Sequence, residues 1–415
     1  MIQQPHDHDR RFVAWLSLAQ LISWGSLFYA FALLMEPVER ELGMSRAQSS
    51  LAFSLALLVE GLVAYPVGRW IDQGHERMVI TVGSVVAGVG LVLHSQISSL
   101  AGFYAVWAGL GAAMAATLYA PVFSVVTRRF PLDFRRAIIT LTFLGGLAST
   151  VFIPLTASLI NALGWRQALL CLAVLHLLVC APLHFHLLRH APGGTKTEAP
   201  PGGRMPRQLS HFLMSAPFAL ISLFVVLMMA VTVALPAHMI NLLRENGLDE
   251  TWVIAIPASI GVIQVLGRVL LYFFERHLDL HMANRLIPCL IPLGLLALLA
   301  APWMGHWHIA MVLLFVGFYG LGNGLLTIVK GTAMAQYVSR DHVASLNGAL
   351  GVPLALARAA APLLLGVLWS AQAGYTQGLW MLLGFSVIGT AALVLAQRLS
   401  LRAAWLKNDF SPGPH

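Results

Sequence analysis

Apolar stretches of about 20 residues recur from one end of the chain to the other, and each is long enough to cross a hydrocarbon layer of about 30 Å as a helix. In that layer every backbone polar group must be satisfied internally, which leaves helices as the form such stretches can take. Twelve stretches read this way, at 12–35, 48–70, 78–97, 100–126, 137–161, 167–188, 213–240, 251–274, 286–303, 308–336, 344–369 and 377–398. Clusters of charge and turn residues separate them, such as "TRRFPLDFRR" (127–136), "NALGWR" (161–166) and "LRENGLDE" (243–250). Composition agrees: 58% of the residues are hydrophobic and 10% charged, too little charge to cover the surface of a water-soluble protein. The chain reads as an all-α polytopic membrane protein.

The basic residues set a direction. With the N-terminus in the cytoplasm, about 18 of the 25 Lys and Arg fall in cytoplasmic segments, about 4 outside and 3 within spans, the bias that oriented membrane proteins show. Both termini are therefore expected in the cytoplasm, and the short loops fit a bacterial inner membrane. The same bias explains a pI near 9.8 without nucleic acid as a partner. The opening "MIQQPHDHDRR" leads into a first membrane helix and not a cleaved signal, because no small-residue cleavage site follows. Cys171, Cys180 and Cys289 all fall in apolar stretches and match neither a disulfide framework nor a metal-site spacing. No metal or other cofactor is expected.

The only long polar stretch, "RHAPGGTKTEAPPGGRMPRQ" (189–208), is rich in Pro and Gly and has no apolar period. It reads as a cytoplasmic linker, giving an N-terminal six-helix bundle at 1–188, a linker at 189–212 and a C-terminal six-helix bundle at 213–415. The halves resemble one another. "VERELGMS" (38–45) follows the first span and "LLRENGLD" (242–249) the seventh, matching Arg40, Glu41 and Gly43 to Arg244, Glu245 and Gly247. "GLGAAMAATLYAPVFSVVTRR" (109–129) lies over "GLGNGLLTIVKGTAMAQYVSR" (320–340), and Pro154 lies over Pro362. The offsets are 204, 211 and 208, in one order, which indicates a parallel duplication of six spans.

Between the second and third spans stands "GRWIDQGHER" (68–77). With the 6+6 repeat it resembles the major facilitator superfamily, whose members carry here a glycine, an acid four residues on, then a glycine and basic residues. Gly68, Asp72, Gly74 and Arg77 fit that outline. The resemblance implies the major facilitator fold, two six-helix bundles and alternating access. It also implies a conformational latch in which Asp72 pairs with Arg128 or Arg129. The sequence departs from the pattern at Gln73, at Gly74, which comes one position early, and in "YFFERHLDLH" (272–281), which lacks the glycine.

Four ionisable residues lie deep in spans: Glu60, Arg268, Lys330 and Arg358. At the helical rise, Glu60 is roughly 13 Å from Arg69, and Lys330 roughly 15 Å from Arg340. Such groups are costly in lipid and mark substrate or ion pathways. Three cations against one acid leave an excess of positive charge, which a visiting anion, such as a carboxylate, would offset. Lys330 takes the repeat position of Tyr119, so in the superfamily's arrangement the two would face each other across the central path. Arg268 and Arg358 resemble the basic residues of monocarboxylate and oxalate/formate-type porters. Tyr29, Asn323 and Gln264 are expected to add polar contacts to the substrate, beside Gln20 and Trp24. Glu60 is the expected proton-coupling residue, since a low dielectric disfavours the charged form of a carboxyl.

The expected function is a secondary active transporter of a small organic anion, coupled to protons or a counter-anion and working as a monomer in the bilayer. The alternative is a proton-driven multidrug or cation exporter of the same fold. Span five carries Gly145 and Gly146 but no Gly-Pro pair, and one acid among three bases is the wrong balance for cations. No His-Glu-x-x-His helix, phosphate loop or Ser/His/Asp set is visible, so an enzyme is not expected.

Overall fold

The computed structural model describes residues 7–130, 134–190, 211–274, 280–339, 346, 347 and 349–409. Eleven helices in it are long and apolar enough to cross a membrane. In chain order they are α1 (Arg11–Leu42), α2 (Arg46–Trp70), α3 (Gln73–His94), α4 (Leu100–Arg129), α5 (Thr140–Leu163), α6 (Trp165–Leu187), α7 (Ala216–Glu245), α8 (Glu250–Leu270), α9 (His281–Trp303), α10 (Gly305–Tyr337) and α12 (Thr376–Arg402). The shorter apolar helix Gly351–Val367 is α11 and completes the twelve expected.

The first six and last six helices form bundles that meet along α2 against α11 and α5 against α8, with α1 touching α7. One end of the molecule is the linker end, and the opposite one is the far end. At the far end α1 finishes on Gly43 (φ 63°) and the duplicated Gly247 has φ 75°, left-handed conformations that glycine adopts without penalty. Ser45 then caps α2 in a capping box with Gln48.

The duplication is visible in a contact that the sequence comparison did not include. Trp165 Nε1 donates to Glu41 Oε2 at 2.7 Å, and Trp369 Nε1 donates to Glu245 Oε1 at 2.8 Å. Both tryptophans and both acids are related by the same offset of 204. Each pair ties the end of a half's first helix to the connection before its sixth.

Irregular geometry inside α1, α4 and α6 bears on the site. α4 breaks at Leu118, which is extended (φ −79°, ψ −163°); an unbroken helix was expected there. The cause is Pro121, which has no N–H to give to the carbonyl of Thr117 four residues earlier. That carbonyl accepts from Gln20 Nε2 of α1 at 2.6 Å instead. α1 and α6 each contain a π-helical segment, Trp24–Tyr29 and Leu175–Cys180.

Candidate functional site

A narrow cavity lies between the bundles near mid-depth. Its walls include Tyr29 of α1, Ser149 of α5, Gln264 of α8 and Tyr319 of α10. Tyr29 and Gln264 were expected in a substrate site. Tyr319 was not, and its hydroxyl is buried with no hydrogen-bond partner. An apolar helix face predicts nothing of this for a tyrosine; only the packing reveals it.

Arg268 stands beside this cavity. Its guanidinium donates to the Gly324 carbonyl at 3.2 Å, to Thr327 Oγ1 at 3.4 Å and, across the bundle boundary, to the Thr142 carbonyl at 3.5 Å. Tyr29 and Tyr119 both lie within electrostatic range of it. Tyr119 opens the second half of broken α4. Its ring lies 4.9 Å from that of Trp24 and stacks on Phe123 at 5.1 Å. A side chain at Gly145 would sit 2.3 Å from the Tyr119 hydroxyl, so that glycine makes the tyrosine's room.

A second station lies on α2, α10 and α11. Arg358 Nη2 donates to Glu60 Oε2 at 2.8 Å across the boundary. Sequence reading gave these two residues separate roles, and the structure brings them together. Lys330 is half-buried and within electrostatic range of Arg358, yet forms no ion pair among the described residues. The charged neighbour of Tyr119 is thus Arg268, and that of Lys330 is Arg358. Asn323 is half-buried and makes no side-chain hydrogen bond among the described residues.

Most charges at the far end are paired among the described residues. Arg40 pairs with Glu36, Arg166 with Glu41, and Arg46 with Glu39 at 3.0 Å. Arg244 bridges Glu250 and Glu36, the latter across the bundle boundary. Arg46 also crosses, to Tyr375 Oη at 2.6 Å and Glu245 at 3.8 Å. Deeper in, His238 Nε2 donates to the Pro362 carbonyl at 2.9 Å and its Nδ1 meets Tyr375 Oη at 2.9 Å. Ser54 Oγ accepts from Leu363 N at 3.1 Å. Hydrogen bonds between the bundles among the described residues therefore run from the far end to the level of Arg268, and the far end is shut.

The expected latch lies at the linker end. The turn is real: Gly74 has φ 89° inside the π-helical segment Ile71–His75. The side chain of Asp72 lies outside the described residues. Arg128 donates to the Ile71 carbonyl at 2.7 Å and faces Glu76, a buried acid not singled out in the sequence, at 3.3 Å. Arg129 instead lies over the Phe12 ring at 4.1 Å. Arg77 donates to the Phe185 carbonyl at 3.0 Å and stacks on that ring. At Gly68 a side chain would meet nothing within 4 Å, so close helix approach is not its role in this arrangement. Among the described residues no group of three or more His, Cys, Asp or Glu could hold a metal ion.

With two six-helix bundles around a mid-depth cavity and ionisable residues at their boundary, this is the architecture of a membrane transporter. The sequence profile of the Major Facilitator Superfamily matches residues 16–318, and the chain belongs to that superfamily. No curated protein matches it in sequence. In fold it is similar to a bacterial homolog of the human lysosomal transporter Spinster, solved inward-facing and unoccupied, at 17% identity and a TM-score of 0.73, covering 96% of this chain and 99% of that one. It is also similar to a mutant form of the nucleoside transporter NupG, at 15% identity and a TM-score of 0.73, covering 93% and 99%.

Proposed function

We propose that this facilitator carries a small organic anion, with Lys330 as its counter-charge. The observation that carries the reading is the asymmetry between the mid-span charges. Glu60 is committed to Arg358, while Lys330 and Arg268 have no acid among the described residues. A cation held in low dielectric without a partner is costly, and an anion arriving between the bundles offsets that cost. Arg268, with the hydroxyls of Tyr29 and Tyr119 nearby, offers a second set of donors to a carboxylate. Gln264 and Asn323 supply neutral polar contacts on the same helices.

Transport proceeds by alternating access. With the linker end cytoplasmic, the shut far end makes this the inward-facing arrangement, and Arg46, Arg244 and Tyr375 form its outer gate. The Glu60–Arg358 pair spans α2 and α11, so protonation of Glu60 releases Arg358 and loosens that boundary. This makes Glu60 the site through which protons couple to movement. The loops at the linker end, with Gly68, Asp72, Gly74, Arg77, Arg128 and Arg129, form the latch of the opposite state. On this reading the protein works as a monomer in a bacterial inner membrane, with both termini in the cytoplasm.

The test is thermal stabilisation of purified protein by a panel of carboxylates, phosphorylated compounds, nucleosides and organic cations, with wild type beside Lys330→Gln. A ligand bound to the native state raises apparent stability. Stabilisation by a carboxylate in the wild type alone supports the reading. Equal stabilisation of both proteins by cations points instead to the drug and cation exporter alternative.

A further inference from the structure

The two halves treat one duplicated position differently. In the first, Arg166 fills the far-end rim. Its guanidinium donates to Glu41 Oε1 at 2.6 Å and to the Ser95 and Ile97 carbonyls, where α3 ends, at 2.5 and 2.9 Å. Glu41 thereby has both an indole donor, from Trp165, and a full counter-charge. In the second half Trp369 repeats the indole donor on Glu245, but no cation follows it. Counting by the offset of 204, Arg166 falls on Ser370. Matching instead the two glycines of positive φ, Gly164 (83°) and Gly374 (54°), with Gln167 on Gln377, it falls on Thr376. Either register puts a hydroxyl where the first half has a guanidinium.

The space is open. A cavity of about 500 Å³ lies at the far end of the second bundle, between the ends of α7 and α9 and the α11–α12 connection, and both Ser370 and Thr376 line it. Its size is that of a ligand pocket. The polar wall is made of acceptors. Glu245 Oε1 takes the Trp369 N–H, while Oε2 accepts no hydrogen bond among the described residues. A side chain at Gly374 would lie 3.0 Å from Oε2, so the glycine leaves that oxygen approachable. Asn246 Nδ2 donates to the Leu242 carbonyl at 2.8 Å, which leaves its Oδ1 as an acceptor. Leu298, Leu299 and Leu379 form an apolar wall.

Nearby cations are committed elsewhere. Arg46 of the first bundle comes within 3.8 Å of Glu245, but its hydrogen bonds go to Glu39 at 3.0 Å and Tyr375 at 2.6 Å. Arg244 is bonded to Glu250 and Glu36. The end of α9 and the α11–α12 connection carry no Lys or Arg. We infer that this cavity binds a small organic cation from the far-side solution, with an ammonium or guanidinium head on Glu245 Oε2 and Asn246 Oδ1 and a carbon body against Leu298, Leu299 and Leu379. A head with N–H donors suits a wall of acceptors, and its charge supplies to Glu245 what Arg166 supplies to Glu41. Glu245 is also the acid that Arg46 faces across the boundary, so the bound cation and the outer gate share one carboxylate.

The experiment is thermal denaturation of the full-length protein with methylguanidinium or ethylammonium chloride at millimolar concentration, beside sodium chloride and tetramethylammonium chloride at equal ionic strength. In the wild type the two N–H-bearing cations are expected to raise the melting temperature by about a degree or two over sodium, as a ligand well above its Kd does. Tetramethylammonium, without an N–H, gives no such gain. Glu245→Gln keeps an acceptor for Trp369, removes the charge and loses the gain. Ser370→Arg tethers a guanidinium in the cavity and makes the added cations ineffective. Either variant decides alone if the other fails to fold. No gain in the wild type, an equal gain from tetramethylammonium, or a gain that survives in either variant overturns the inference. Lys330→Gln is expected to keep the gain, so this site and the anion reading fail independently. Cation stabilisation that survives Glu245→Gln belongs instead to a central cation path.

Discussion

Arg358 of α11 and Glu60 of α2 meet at 2.8 Å, side chain to side chain, across the boundary between the two bundles. Neither is fully buried, at 23% and 12% exposure of their side chains, so the pair is screened in part and is worth less than a wholly buried one. It nevertheless fixes the height at which α2 and α11 can slide. It also removes one of three mid-span cations from the set available to a ligand.

Breaking that pair from one side leaves a charge behind. Glu60→Gln or Arg358→Gln is expected to cost about 1–3 kcal/mol of apparent stability, discounted for exposure. The double variant, with neither charge, is expected to cost less than the sum of the two. Thermal denaturation in one detergent measures all four proteins. Strictly additive losses show that the contact carries no coupling energy.

Glu60 also makes a prediction for transport. With a carboxylate that stabilises the wild type as substrate, Glu60→Gln is expected to transport at a rate that no longer varies between about pH 5 and about pH 8. Uptake into vesicles across a pH series reads this directly. A profile that keeps its slope returns Glu60 to a purely structural contact.

The far-end gate is ionic and partly exposed. Loss of the Arg244–Glu36 contact by Arg244→Ala is expected to shift the closed-to-open ratio by roughly five-fold, corresponding to about 1 kcal/mol for a partly exposed pair. Asn241→Cys, in a background lacking the native cysteines, reports the shift through faster reaction with a membrane-impermeant maleimide. Asn241 is buried in the closed arrangement and touches Met35 across the boundary. An unchanged labelling rate means that other contacts hold the gate.

Within the first bundle, Gly111 decides how closely α4 approaches α2. A side chain there would lie 2.2 Å from the Ala56 carbonyl oxygen, a backbone atom that cannot swing aside. Gly111→Ala is expected to destabilise by about 1–3 kcal/mol, as overpacking does. Gly109→Ala, where a side chain meets nothing within 4 Å, is the matched control and leaves the melting temperature within about a degree or two of the wild type, in keeping with a substitution that forces no repacking.

Gln20 and Pro121 make a paired case. Gln20→Leu leaves the Thr117 carbonyl buried and unpaired, at a cost of about 1–3 kcal/mol. Adding Pro121→Ala restores an N–H in register with that carbonyl and is expected to recover part of the loss. A double variant no more stable than Gln20→Leu shows that the bend at Leu118 is held by packing and not by the missing hydrogen bond.

The spans were legible because a membrane helix writes itself as an uninterrupted apolar run, and the duplication because Arg40, Glu41 and Gly43 recur at a constant offset. The individual ionisable residues were legible for the same reason: a charge stands out against such a background. Their pairing was not. Glu60 and Arg358 lie 298 positions apart, and no local pattern joins them. His238, Tyr375 and Tyr319 were missed because a single polar residue on a greasy helix looks like any other until its neighbours are known. Glu76 was passed over for Asp72 because the superfamily outline draws attention to the latter. The break in α4 was recoverable: Pro121 sits four residues after Thr117, and the carbonyl it strands needed a donor from elsewhere.

The repeated tryptophan–glutamate strap has a mechanical consequence. Trp165–Glu41 and Trp369–Glu245 each lie inside one bundle and brace its far-end rim. Each bundle can therefore swing as a stiff body with its own brace intact. The energy of switching is concentrated in the few charged contacts that cross the rim, and dissolved ions act on charged contacts far more than on packed helices. The balance between the two orientations of this protein is thus expected to answer to the ionic strength of the far-side solution, with the fold itself left undisturbed.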